Sequence, residues 1–256
     1  MTTNTRNPSI LLVPGHWLGA WAWDEVREHL AALGRRATAL TLPGLDEADP
    51  NRASRTLDDQ AAAIEQAILS EREPVVIVAH SGANAPVSLV LDRYPELVHR
   101  VVWVDSGPAA SGMAFAPDFP EGTEGLPLPP FEALKEQASV EGLSDDVRER
   151  FQARAVPEPG PVLRQAVELT NEKRFGVPTT FVCCSMSSAQ VKELAKAGHP
   201  MFAEVGNFKN VDYIDLPTGH WPMWSRASDL ARIIGASAEP VKRLRTRFTD
   251  EEVDAM

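Results

Sequence analysis

Four short apolar runs in the first half of the chain constrain its fold more than any other feature. They are Ile10-Leu11-Leu12-Val13, Ala37-Thr38-Ala39-Leu40-Thr41-Leu42, Val75-Val76-Ile77-Val78-Ala79 and Val101-Val102-Trp103-Val104. The third is continuous in apolar residues, as a strand covered on both faces should be. Pro14-Gly15 and Pro43-Gly44 stop the first two as turn signals. Amphipathic stretches separate the runs. Val26, Leu30 and Leu33 recur at helical spacing among charges before Gly34, and further helices are expected at residues 57–69 and through Leu89 and Leu91. Strand and helix alternating at this rhythm predict a parallel sheet with right-handed crossovers. The expected strands are 9–13, 37–42, 74–79 and 101–104, resumed at 179–184 and 211–216, with later helices at 189–197 and 227–234.

The rhythm breaks between Gly107 and Gly176, where nine prolines are interspersed with two short helical patterns, near 131–138 and 145–155. This reads as an insertion over the sheet. The expected division is therefore an α/β core made of 1–108 and 177–256, with 109–176 as a lid. A chain of 256 residues accommodates one such domain. The tail from Glu239 is charged and expected to fray.

Composition narrows the function. With 43% hydrophobic and 24% charged residues, the chain has the make-up of a globular protein with a sizeable core. It contains no apolar run of about 18 residues, the length a membrane-spanning helix needs. A net charge of −11 argues against a nucleic-acid or anionic-membrane surface. Residues Met1 to Pro8 are polar and do not read as a secretory peptide. The expectation is a cytoplasmic protein, monomer or homodimer, acting on a small molecule. Cys183 and Cys184 are adjacent and read as reduced strand residues. No two of the six histidines sit a helical turn apart, and there is no P-loop or G-x-G-x-x-G, so neither a metal nor a cofactor is expected.

The chemistry centres on Ala79-His80-Ser81-Gly82-Ala83, where a buried strand gives way at once to a helix. A small-x-Ser-x-small turn of this kind lifts the serine hydroxyl above the sheet edge, and small flanking residues let the backbones approach. Taken alone, Ser81 could simply cap a helix. A serine nucleophile also needs a base, and Gly219-His220, in the loop after the last strand, supplies one. His80 is expected to point into the fold, His29 and His99 to lie on helix surfaces, and His199 to precede a proline in a loop. Oxyanion donors are expected from the backbone N–H of Gly82 and of His16, where Gly15 lets the chain bend toward the site.

At these residues the chain resembles the α/β-hydrolase superfamily. It is most similar to the small lid-bearing branch with plant hydroxynitrile lyases and methyl-ester esterases. Members carry His-Gly-x-x-His-Gly-x-Trp-x-Trp where this chain has Pro14-Gly15-His16-Trp17-Leu18-Gly19-Ala20-Trp21-Ala22-Trp23. The resemblance spans residues 9–234, with the lid only loosely matched. It implies an α/β-hydrolase fold, a mostly parallel sheet flanked by helices with an inserted lid.

One departure from these relatives bears on the acid. Most take their acid from the loop after the strand that follows the lid, yet Ser185-Met186-Ser187-Ser188 holds no carboxylate. Asp105, ending the strand after the serine, is assigned to orient His220, as in superfamily members that use this strand end. An aspartate there is costly to bury without a donor such as a histidine N–H. Asp105 could instead cap the lid entrance, and Asp212, Asp215 and Glu193 are weaker candidates. Trp17, Trp221, Phe115 and Phe131 are candidate pocket residues, although lid aromatics often only pack. The leading reading is hydrolysis of a small ester or lactone through Ser81, His220 and Asp105. The alternatives are a cofactor-free dioxygenase or lyase using the His–Asp dyad, and a non-catalytic small-ligand receptor.

Overall fold

The computed structural model describes residues 7–239; Met1 to Arg6 and the tail beyond Glu239, including most of the charged segment, lie outside them. In chain order the elements are β1 (Ile10–Val13), α1 (Asp24–Ala32), β2 (Ala37–Ala39), α2 (Leu57–Leu69), β3 (Val75–His80), α3 (Asn84–Arg93) and β4 (Val98–Val104). The segment that follows holds β5 (Gly125–Leu126), α4 (Phe131–Leu134), α5 (Asp145–Arg154), β6 (Glu158–Pro159) and α6 (Gly160–Arg164). The chain then returns through β7 (Thr179–Cys183), α7 (Ser188–Lys196), β8 (Val211–Asp215), α8 (Pro222–Ser225) and α9 (Ala227–Ser237).

Six strands form one sheet in the order β2-β1-β3-β4-β7-β8, and every pairing in it is parallel. Continuous apolar runs follow from two-sided burial, because successive strand residues face opposite sides. Leu11, Val13, Ile77, Ala79, Val101 and Trp103 face one cluster, packed with residues of α2, α3 and α7. Ile10, Leu12, Val76, Val78, Val102 and Val104 face the other, packed with residues of α1 and α9. The edge strands β2 and β8 are only half-buried. Local signals agree with tertiary demand at α2, where Thr56 accepts from the Asp59 N–H and Asp59 accepts from the Thr56 N–H.

Two expectations shift. The second strand stops at Ala39, after which only Leu40 keeps a sheet bond, donating to Leu12 O. His99 lies in β4 rather than on a helix, because the strand starts at Val98, before its apolar run. The connection turns one way from β1 to β2 and the other way to β3. The carboxyl ends of β1 and β3 therefore flank a crevice, the usual ligand position in such sheets.

Candidate active site

Ser81 stands immediately beyond β3 with φ +50°, a left-handed conformation that a non-glycine residue adopts at some cost. Gly15 makes the turn possible: a Cβ at that position would lie 2.8 Å from Ser81 Cβ and 2.9 Å from His80 O. The hydroxyl of Ser106, in the loop after β4, donates to the Ser81 carbonyl (2.8 Å), tying the two strand ends together.

Asp105 closes β4 with φ +44°. Parallel strands deliver their carboxyl ends to one edge, so Asp105 and Ser81 meet the loop after β8. Ser81 Oγ donates to His220 Nε2 (2.8 Å), and His220 Nδ1 donates to Asp105 Oδ2 (2.6 Å). The sheet thus gathers the three side chains into one hydrogen-bonded relay. Asp212 instead pairs with Arg100 (2.7 Å), Asp215 accepts from the Ser188 N–H (2.6 Å), and Glu193 lies exposed on α7.

The loop after β7, which has no carboxylate, serves Asp105 with donors. Asp105 Oδ1 accepts from the amides of Cys184 (3.1 Å) and Ser185 (2.8 Å), and Ser185 Oγ donates to Oδ2 (2.6 Å). Burial pushes the Asp105 carboxyl up, but the His220 hydrogen bond and charge and the Ser185 donors outweigh it and hold the group below the usual carboxylate range. Nothing in the sequence distinguishes Ser185 from any other loop serine.

His80 is buried beneath the relay, and its Nε2 donates to the His220 carbonyl (2.8 Å). Burial, reinforced by the charge of nearby His220, pushes its pKa down to about 3, so the ring stays neutral. From the inserted segment, Ser139 O accepts the His220 amide (2.8 Å). Gly219 permits that approach, since a Cβ there would fall 2.4 Å from Glu141 O.

Gly82 is the second residue of the short helical turn Ser81–Ala83 leading to α3, where a first-turn N–H has no intrahelical partner. His16 lies across from it. A Cβ on Gly82 would fall 2.3 Å from His16 Nε2, and His16 Nδ1 donates to Glu158 Oε2 (2.9 Å). Phe115 caps the His16 ring at 4.5 Å between centroids but is itself largely exposed. Trp221 is buried edge-on against His220 at 4.9 Å, and Trp17 donates through Nε1 to Leu126 O (2.9 Å). Phe131 packs on Phe151. An open cleft of about 610 Å³ borders Ser185 and residues 135–141.

His29 lies on α1, and His199 caps the turn Pro200–Phe202 by accepting the Met201 N–H (3.3 Å). Cys183 and Cys184 are buried free thiols, and burial pushes both up, Cys183 to about 12. Among the described residues no cluster of three His, Cys, Asp or Glu side chains is arranged to hold a metal ion, and no helix is long and apolar enough to cross a membrane.

Residues 10–233 match the family model described as "Alpha/beta hydrolase family". The chain belongs to that family.

Among curated relatives, the chain is similar to Methylesterase 2 of Arabidopsis thaliana (32% identity over 122 residues, 46% of this chain and 43% of the relative). It is also similar to Methylesterase 4 of the same plant (30% over 142 residues, 54% and 49%). The matched stretches thus span less than half the length of these relatives. Among solved structures, it resembles an extracellular alpha/beta-hydrolase from a Paenibacillus species, described as sharing structural and functional homology with tobacco salicylic acid binding protein 2. The TM-score is 0.72 at 18% identity, covering 91% of this chain and all of that one. At that identity the likeness speaks for the fold alone.

Proposed function

We propose that the chain is a serine esterase acting on a small ester or lactone, with segment 109–176 as its lid. The observation that carries this reading is the relay of Ser81 Oγ to His220 Nε2 at 2.8 Å and His220 Nδ1 to Asp105 at 2.6 Å. The methylesterases among the matched relatives support the same class of reaction.

Ser81 Oγ attacks the acyl carbon while its proton passes to His220 Nε2. The carbonyl pair moves onto oxygen, and the backbone N–H groups of His16 and Gly82 hold that oxyanion. Collapse of the tetrahedral species breaks the ester C–O bond, and the departing alkoxide takes the proton from His220. Water, giving its proton to the same nitrogen, then attacks the acyl-Ser81 carbonyl, and collapse of this second tetrahedral species breaks the Oγ–acyl bond, Ser81 Oγ taking the proton back from His220 as the acid leaves. Asp105 keeps the Nδ1–H tautomer and offsets the charge of the imidazolium.

The test is pre-steady-state hydrolysis of p-nitrophenyl acetate. An acyl-enzyme gives a burst of p-nitrophenolate that approaches one equivalent per Ser81 when deacylation is slow. Turnover that survives Ser81→Ala within tenfold of the parent defeats the reading and favours chemistry on the His–Asp dyad alone, as in a cofactor-free dioxygenase or lyase.

A further inference from the structure

His220 and Asp105 are not the only histidine–carboxylate pair at this edge. His16 and Glu158 form a second one, and the relay does not use it. Glu158 is a proline-flanked glutamate of the inserted segment, yet its side chain is only 1% exposed. A carboxylate so buried is costly unless its oxygens are bonded. One oxygen accepts from His16 Nδ1 at 2.9 Å and the other from Gln60 Nε2 at 2.9 Å. Gln60, on α2, is buried as well, and its Nε2 also reaches Pro43 O (3.2 Å). The other end of the imidazole is buried without a hydrogen-bond partner at Nε2. That end abuts Gly82: the absent Cβ would lie 2.3 Å from Nε2, 2.4 Å from Cδ2 and 2.6 Å from Cε1. The ring fills the space that a side chain at position 82 would need.

The two residues joined by this ring are the two whose amides the esterase reading assigns to the oxyanion. We propose that Glu158, reaching in from the inserted segment, and His16 are positioning residues that fix the spacing of the two oxyanion donors by wedging a rigid ring against Gly82. The proposal rests on the Ser81 esterase reading and deepens it, because the hole is complete only with the inserted segment seated. A hole made of two backbone donors from separate loops has no covalent control over their separation. Donors must sit within about 2.7–3.1 Å of the oxyanion, so a small slip of either loop is felt in the transition state more than in substrate binding.

A double-mutant cycle on His16→Ala and Gly82→Ala, with Glu158→Ala and Glu158→Gln alongside, tests it. Each protein is assayed for kcat, KM and inhibition by a trifluoromethyl ketone, whose adduct with Ser81 carries the oxyanion. The corresponding secondary alcohol serves as a ground-state comparator. The expected result is a fall in kcat of about 10–100-fold for His16→Ala, Gly82→Ala and Glu158→Ala, the scale on which a misplacement of about 1 Å is felt at a reacting centre. KM and the alcohol should change by less than about threefold, while the ketone weakens in step with kcat. Glu158→Gln should recover part of the loss, since its amide oxygen still accepts from His16 Nδ1 while its NH2 replaces the acceptor that Gln60 Nε2 uses. His16→Ala/Gly82→Ala should be no worse than His16→Ala, because the new methyl enters space the ring has left.

Losses that multiply in the double variant, or variants that lower only Tm or raise only KM, overturn the proposal. If Glu158→Ala fails to fold, the His16/Gly82 cycle still gives the answer. Fluorophosphonate labelling of the parent separates the two failures. No adduct on Ser81 sinks the esterase reading, whereas an intact adduct with an additive cycle sinks this one.

Discussion

The carboxyl edge of the sheet and the inserted segment above it contribute to the same site in opposite ways. The sheet edge places Ser81 and Asp105 on the ends of adjacent strands, both at positive φ and both held by hydrogen bonds to neighbouring strand ends. The inserted segment contributes short elements and tight contacts, two of which support the site's histidines. Ser139 O bonds the His220 amide, and Glu158 bonds the His16 ring. The proposed reacting groups sit where parallel strands force them to be, and the proposed supporting groups sit on chain that must be docked. Strain at a strand end is tolerable because a packed sheet over-determines the backbone there. Variants on the two regions should therefore fail differently, those of the edge in chemistry and those of the insertion in alignment and stability.

The largest effect belongs to the edge. Ser81→Ala is expected to lose about 10⁴–10⁶-fold in ester turnover with the fold intact, read by kcat and by an unchanged circular dichroism spectrum. Asp105→Asn should lose about 10²–10⁴-fold by favouring the wrong His220 tautomer, again with KM little changed. Ser185→Ala, which removes one donor to Asp105, should lose about tenfold or somewhat more.

A fourth prediction concerns stability against pH beneath the edge. Folded His80 has a pKa of about 3, against an ordinary value of 6.5. Below that ordinary value the unfolded chain binds a proton that the folded chain refuses, so stability falls as pH drops from 6.5 toward 3. Its contribution to the slope approaches about 1.4 kcal/mol per pH unit. In His80→Gln, which keeps a donor for the His220 carbonyl, this slope should disappear from urea midpoints measured across pH 4–7. An unchanged slope would mean that His80 is not the group responsible.

The smallest effect probes the junction of the two regions. Gly219→Ala would place a methyl 2.4 Å from Glu141 O. It should cost about 1–3 kcal/mol of stability, seen as a lower Tm, with a modest fall in kcat as the His220 loop shifts. A drop in kcat as large as that of Asp105→Asn, at unchanged Tm, would erase the distinction between edge and insertion.

The sheet was legible because two-sided burial writes itself as unbroken apolar runs, and α2 was legible to the residue because its cap and its periodicity agree. Strand β2 falls short of its apolar run, since an edge strand's length depends on pairing, which no local pattern encodes. At the site, Ser81 and His220 announce themselves by their place after strands. Asp105 is inferred from an absence, the carboxylate missing at Ser185-Met186-Ser187-Ser188. What the sequence conceals is the support. Ser185 looks like any loop serine, and Glu158 reads as a surface acid among prolines. Its burial is created only when α2 and the loop after β1 close around it. Gly82 carried a hidden message too, because its missing side chain is the seat of the His16 ring.

Activation of Ser81 by the strand ends is read at the serine itself by a fluorophosphonate probe. Intact protein is treated with the probe, digested, and the modified peptide located by mass spectrometry. Such activation predicts one adduct per chain, on Ser81, absent in Ser81→Ala and formed far more slowly in His220→Ala. No adduct, an adduct on another serine, or labelling indifferent to His220 would contradict it.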